Sequence, residues 1–127
     1  MTLATTTAAG PYCTHLFYLY LPERNLFVFA SDPATRHAVE ALENPLAAAS
    51  IVLESSAIYR LQGVQLTGKV HRVEEENERQ LLRNKYVARF PYARMADLTL
   101  WTFEPDFIKL TDNRLGFGKK IIWRRDA

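Results

Sequence analysis

The segment LFVFASDPATRHAVEALENPLAAASIVL, residues 26–53, decides how the chain folds. Leu26 to Ala30 is a short apolar run with two phenylalanines and a β-branched valine, and it follows the turn-like Pro22-Glu23-Arg24-Asn25. A run of this kind behind a turn signal predicts a buried strand. Asp32 then offers an N-cap oxygen, and Pro33 suits the first helical position because its missing N–H would be unpaired there in any case. With Ala38, Val39, Ala41 and Leu42 at helical spacing, the expected helix runs from Pro33 to about Glu43 and stops at Asn44-Pro45. Leu46 to Glu54 reads as the next strand, its alanines implying close packing. The first junction carries two hydroxyls and an arginine, Ser31, Thr35 and Arg36. At a helix start, free N–H groups and the positive end of the helix dipole favour a phosphate there. An ordinary capped helix with an exposed arginine uses the same residues.

Working outward, Thr2 to Thr7 (TLATTT) is rich in β-branched residues, and Ala8-Ala9-Gly10-Pro11 turns it into Tyr12 to Leu21 (YCTHLFYLYL), which predicts a hairpin. Tyr59 to Val73 alternates as one long strand with Val64, Leu66 and Val70 in the apolar phase, and Gly68 marks a bulge or a close backbone approach. From Glu74 the pattern becomes helical, with acidic residues in the first turn and Leu82, Tyr86 and Phe90 on one face. Pro91 closes that helix into a short helical turn over Tyr92 to Ala96. Leu98 to Leu110 is a strand interrupted by Pro105, where an edge or a bend is expected. A loop over Thr111 to Gly118 leads to a final strand, Lys119 to Arg125. Six or seven short strands and two main helices, with no linker or repeat between them, predict one mainly β domain over residues 1–127. Its architecture is an antiparallel barrel with helices as connections.

The composition narrows the function classes. A formal charge of +2 is only mildly basic, so nucleic acid is not an expected partner. Cys13 is the sole cysteine, which permits no internal disulfide, and no apolar run is long enough for a membrane helix. A reducing cytoplasm is the default compartment, and no membrane association is expected. His15, His37 and His71 lack metal-ligand spacing, and there is no Gly-rich phosphate loop.

With the elements in this order, the chain resembles the FMN-binding split-barrel superfamily that contains pyridoxamine 5′-phosphate oxidase. The resemblance rests on HLFYLY at His15 to Tyr20, on residues 26–53, and on GVQLTGKVHRV at Gly63 to Val73. Two later stretches, NKYVARFPYARM at Asn84 to Met95 and IKLTDNRLGFGKKIIWRRD at Ile108 to Asp126, resemble the YhbP family within it. The resemblance implies a split β-barrel, a homodimer, and FMN bound at the dimer interface for redox chemistry on a small molecule.

It also implies roles for particular residues. Ser31, Thr35, Arg36 and His37 would hold the flavin phosphate, and the backbone of Leu16, Phe17, Tyr18 and Leu19 would lie beside the ring. Gln62 or Gln65 would meet the ring or the ribityl chain, depending on strand register. From the partner chain, Phe117 or Trp123 would cover the ring, and Lys119 or Lys120 would approach the phosphate or an anionic substrate. Arg89 and Arg94 are candidates for a substrate pocket. His37 stands where many relatives carry a second cation, so phosphate affinity is expected to depend on pH. The chain begins at the first strand, where relatives usually have a preceding helix, which marks either a short form or a start inside a longer reading frame. The alternatives are a haem site with His15, His37 or His71 as ligand, a deazaflavin site, or a cofactor-free dimeric binding module. No catalytic side chain is implied, since the flavin carries the chemistry.

Overall fold

The computed structural model describes residues 1–126. Eight strands form one antiparallel sheet: β1 (Thr2–Thr7), β2 (Gly10–His15), β3 (Leu19–Leu21), β4 (Leu26–Ala30), β5 (Leu46–Leu53), β6 (Gln62–Arg72), β7 (Leu100–Asp112) and β8 (Lys120–Arg124). Two α-helices accompany them, α1 (Arg36–Glu43) and α2 (Glu76–Arg89). The strand order is β2-β1-β5-β6-β7-β4-β3, with β8 also paired to β7. The end strands β2 and β3 follow each other in the chain but do not pair, so the sheet curls around its core without completing the ring. This is the expected split barrel.

β4 shows why it anchors the fold. Phe27 and Phe29 point into the barrel, where they pack with Leu3, Leu66, Val70, Trp101 and Phe103. Leu26 and Val28 point the other way, onto Leu82, Tyr86, Val87 and Phe90 of α2 and its C-cap. A strand covered on both faces needs an unbroken apolar run, which LFVFA supplies. α1 contributes Ala38 and Ala41 to the barrel core and lies along β1.

The strands number eight rather than six or seven, and several boundaries differ from the sequence expectation. Tyr12 to Leu21 is two strands, because Leu16, Phe17 and Tyr18 leave the ladder. The long strand begins at Gln62, after a 3-10 turn at Ile58–Arg60. α2 begins at Glu76, capped by the Glu75 carboxylate, which accepts from the N–H groups of Asn77 and Glu78. α1 begins at Arg36 rather than Pro33, and Thr35 rather than Asp32 holds the N-cap position. Asp32 instead closes a turn of its own: its Oδ1 accepts from the Ala34 N–H (2.7 Å) and its carbonyl accepts from the Thr35 N–H (3.1 Å). An aspartate's short side chain offers this local alternative to helix, and here it prevails.

The bulge expected at Gly68 lies in the β6–β7 ladder, whose register shifts between Thr67 and Gly68. The reason is steric. A Cβ at Gly68 would run into the carbonyl oxygen of Glu104 and lie 2.8 Å from the Cα of Pro105, both backbone atoms of the facing strand. Pro105 itself sits where β7 changes partner, after the pairs with β4 end at Phe103 and before those with β8 begin at Phe107. Its absent N–H therefore costs no ladder bond on that side. Replacing Gly68 with alanine is expected to cost about 1–3 kcal/mol, because backbone cannot step aside as a side chain does. Urea unfolding measures this, and an unchanged midpoint would refute the close approach.

Candidate functional site

The core places the site before any polar residue acts. Trp101 is 1% exposed, stacks on Phe29 with ring centroids 6.5 Å apart, and donates its indole N–H to the Ser31 carbonyl at 2.9 Å. The Ser31 N–H is held by the Thr99 carbonyl (3.1 Å), so both backbone groups of Ser31 are tied to the β7 side. Its side chain is left to face α1. There Ser31 Oγ lies 2.5 Å from His37 Nε2 and 3.5 Å from Thr35 Oγ1, and the latter is 3.3 Å from the same imidazole nitrogen. Three polar side chains thus meet at the first turn of α1, with Thr35 Oγ1 also donating to the Asp32 carbonyl at 2.8 Å.

His37 is buried, and that burial pushes its imidazole below its usual range, with the Glu40 carboxylate opposing the shift. An imidazole depressed by folding binds its proton more tightly in the unfolded chain. The stability tied to its neutral form is therefore present above the ordinary imidazole value of about 6.5 and is lost as pH falls through the folded value. Thermal unfolding between about pH 8 and pH 5 should show the free chain losing stability toward the acid end, with a shallower slope in His37→Gln. An unchanged slope in that variant would remove His37 as the cause.

Arg36 takes a different direction from its neighbours. Its Nε donates to Glu40 Oε2 at 3.0 Å, and its guanidinium lies 4.1 Å from the ring centroid of Tyr12 in β2. Leu16 to Tyr18 occupy the gap between β2 and β3, on the side where β4 ends. The β3–β4 register begins at the Leu19–Val28 pair, and before it the Leu16 backbone is tied to the chain start, its N–H donating to the Met1 carbonyl at 2.9 Å. Leu16 and Tyr18 pack on the barrel core, whereas Phe17 is 71% exposed and touches Phe90 (5.9 Å between centroids). A recess of about 510 Å³ opens along this segment, lined by Leu16, Phe17, Tyr18 and Leu19 with Arg89 and Phe90. That volume suits a small molecule. Arg94 is not among its lining residues.

The other sequence candidates lie apart from this group. Gln65 is on the exposed phase of β6 between Ser50 and Lys109 and lines a shallow, mostly apolar recess of about 330 Å³. Gln62 is in the opposite phase, between Leu53 and Asp112, and lines a recess of about 650 Å³ with Tyr59, Arg60 and Arg114. The register thus separates the two glutamines. Phe117 (80% exposed), Lys119 and Trp123 belong to the β7–β8 end. β8 pairs with Phe107–Thr111, whereas Ser31 is fixed to Thr99, so roughly 25 Å of extended strand lies between them. Among the described residues, no group of three His, Cys, Asp or Glu is placed to hold a metal ion, and no helix is long and apolar enough to cross a membrane. His15 and His71 are both exposed, on β2 and β6.

Sequence reading missed Tyr12, Glu40 and Trp101 as supports of the site. Only Glu40 carried a local signal, its four-residue spacing from Arg36. The other two contacts join distant parts of the chain.

Known proteins resemble this chain in sequence and in fold. The family model for pyridoxamine 5′-phosphate oxidase matches residues 1–112. The UPF0306 protein YhbP of Escherichia coli is 39% identical over 116 residues, which cover 91% of this chain and 78% of the relative. Two solved structures share the fold. A pyridoxamine 5′-phosphate oxidase-related, FMN-binding protein from Nostoc punctiforme has a TM-score of 0.68 at 16% identity over 98% of this chain and 80% of its own. A haem-binding protein from Mycobacterium smegmatis has a TM-score of 0.73 at 22% identity over 97% of this chain and 51% of its own.

Proposed function

From the premise that the chain belongs to the pyridoxamine 5′-phosphate oxidase family, within its UPF0306 branch, we propose that it binds FMN and serves as a flavin-dependent oxidoreductase for a small molecule. The observation that carries this reading is the convergence of Ser31, Thr35 and His37 within 3.5 Å of one another at the first turn of α1. The donor set fits a phosphate monoester. The Ser31 hydroxyl, an imidazole and the unpaired N–H groups of a helix start can donate to anionic oxygens. The Thr35 hydroxyl joins them only by turning from the Asp32 carbonyl, and Arg36 adds a fixed positive charge. The recess along Leu16 to Leu19 combines apolar side chains such as Leu16, Phe17 and Phe90 with about as much polar surface, which a flat ring with a polar edge would use.

When bound, FMN would supply the redox chemistry through its ring. The chain's own residues bind and orient it: Ser31, Thr35, Arg36 and His37 at the phosphate, and Leu16 to Leu19 along the ring. A phosphate dianion beside His37 favours the imidazolium, so FMN binding takes up a proton and weakens as pH rises from the free-state imidazole value through the bound-state one. We also propose a homodimer. Ile121 (50%), Ile122 (56%) and Trp123 (38%) are exposed on both faces of β8, an apolar surface that a second copy would cover. Because one chain's own Phe117, Lys119 and Trp123 lie far along β7 from Ser31, only a partner's copies would reach the flavin.

Titrating FMN and riboflavin by flavin fluorescence, with the mass in solution measured alongside, tests the reading. FMN should bind much more tightly than riboflavin, to a dimer. Equal affinities would remove the phosphate cluster, and a monomer that binds FMN would remove the shared site.

A further inference from the structure

We infer that Tyr12 and Glu40 are positioning residues, which hold Arg36 so that the amino edge of its guanidinium stays free for a phosphate group. The inference rests on the FMN reading above and goes beyond it, to how this chain prepares its anion site. A guanidinium carries five N–H donors in a fixed plane. Glu40 Oε2 takes the Nε donor at 3.0 Å, and the ring of Tyr12 covers one face of the plane at 4.1 Å. Among the described residues Arg36 makes no other hydrogen bond, so its four terminal N–H groups remain available, and its side chain is 53% exposed.

Glu40 is the costly part of the arrangement. It is 7% exposed, and its Oε1 is buried with no hydrogen-bond partner among the described residues. Sinking a carboxylate is unfavourable, and an i,i+4 ion pair with an exposed arginine returns little stability. What the pair does supply is order. A long, flexible arginine held at two points loses less freedom when it meets an anion, and its planar fork is already oriented for two parallel hydrogen bonds. The Glu40 charge also acts on His37, whose imidazole it pushes upward against burial, so one buried carboxylate conditions both cationic candidates. The same charge repels a phosphate, which makes the sign of its removal a direct test.

The experiment titrates FMN and riboflavin into the wild type, Glu40→Gln and Tyr12→Leu, and repeats each substitution in an Arg36→Ala background. Each single variant should bind FMN about twofold to tenfold more weakly with riboflavin unchanged, and should cause no further loss once Arg36 is gone. Unchanged or tighter FMN binding in Glu40→Gln overturns the inference, as does an equal loss for riboflavin, which would mark a merely structural role. Positioning is also read without flavin, from the Arg36 Nε–H resonance. It should exchange slowly in the wild type and rapidly in Glu40→Gln. Rapid exchange in the wild type overturns the positioning itself, whereas a wild type that holds Nε–H yet binds no FMN overturns only the flavin reading.

Discussion

Replacing Trp101 with alanine is expected to lower the unfolding free energy by about 3–5 kcal/mol, the usual cost of emptying a large aromatic site in a packed core. The expectation follows from its position. Trp101 is among the largest fully buried side chains, faces Phe29 across the β4–β7 ladder, and belongs to the cluster that fills the barrel. Phenylalanine at the same position separates packing from hydrogen bonding. It keeps most of the apolar volume but leaves the Ser31 carbonyl without the indole N–H, at a cost of about 1 kcal/mol. Because that bond fixes the backbone from which Ser31 Oγ points toward His37 and Thr35, Trp101→Phe should weaken FMN binding beyond its effect on stability. Urea unfolding and a flavin titration on the same variant measure the two effects. If Trp101→Phe matched the wild type in both, Trp101 would be ordinary core and the site would owe nothing to it.

The second large effect falls on Arg36. Arg36→Ala should weaken FMN binding by about 1.5–3 kcal/mol, the range of a hydrogen bond to a charged group. That corresponds to roughly tenfold to 150-fold in affinity. Riboflavin, which lacks the phosphate, should bind the variant and the wild type alike. Stability should fall as well, by about 1–3 kcal/mol, because the variant leaves the buried Glu40 carboxylate without the Arg36 guanidinium, so the affinities are compared under conditions where both proteins are folded. Arg36→Lys should fall between the two, since it keeps the charge but loses the planar fork. An FMN affinity unaffected by Arg36→Ala would leave Ser31, Thr35 and His37 as the only candidates for the phosphate.

The parts of this structure that were legible in the sequence are those fixed by local pattern. LFVFA at Leu26–Ala30 is a strand with the expected bounds, because an apolar run between turn residues has little else to become. Gly68 marks the bulge because only glycine tolerates backbone at that distance. Leu82, Tyr86 and Phe90 share a buried face because their spacing matches the helix period. Boundaries slipped where polar side chains choose between local options, as at Asp32, or where ladder pairing ends, as at Leu16. Strand register was beyond the sequence. Alternation puts Gln62 in the phase of Val64 and Leu66 and Gln65 in the other, but the partners each glutamine meets become known only from the pairings with Asp112 and Lys109. The seat of Arg36 on Tyr12 was hidden for the same reason, since it joins α1 to a strand more than twenty residues earlier.

The central claim, that this chain holds FMN through the cluster at the start of α1, is tested most directly by the visible absorption spectrum of the purified protein after equilibration with FMN and gel filtration. The account predicts flavin bands that co-elute with the protein at about one FMN per chain and are lost in Arg36→Ala. A folded wild-type protein that elutes colourless would contradict it.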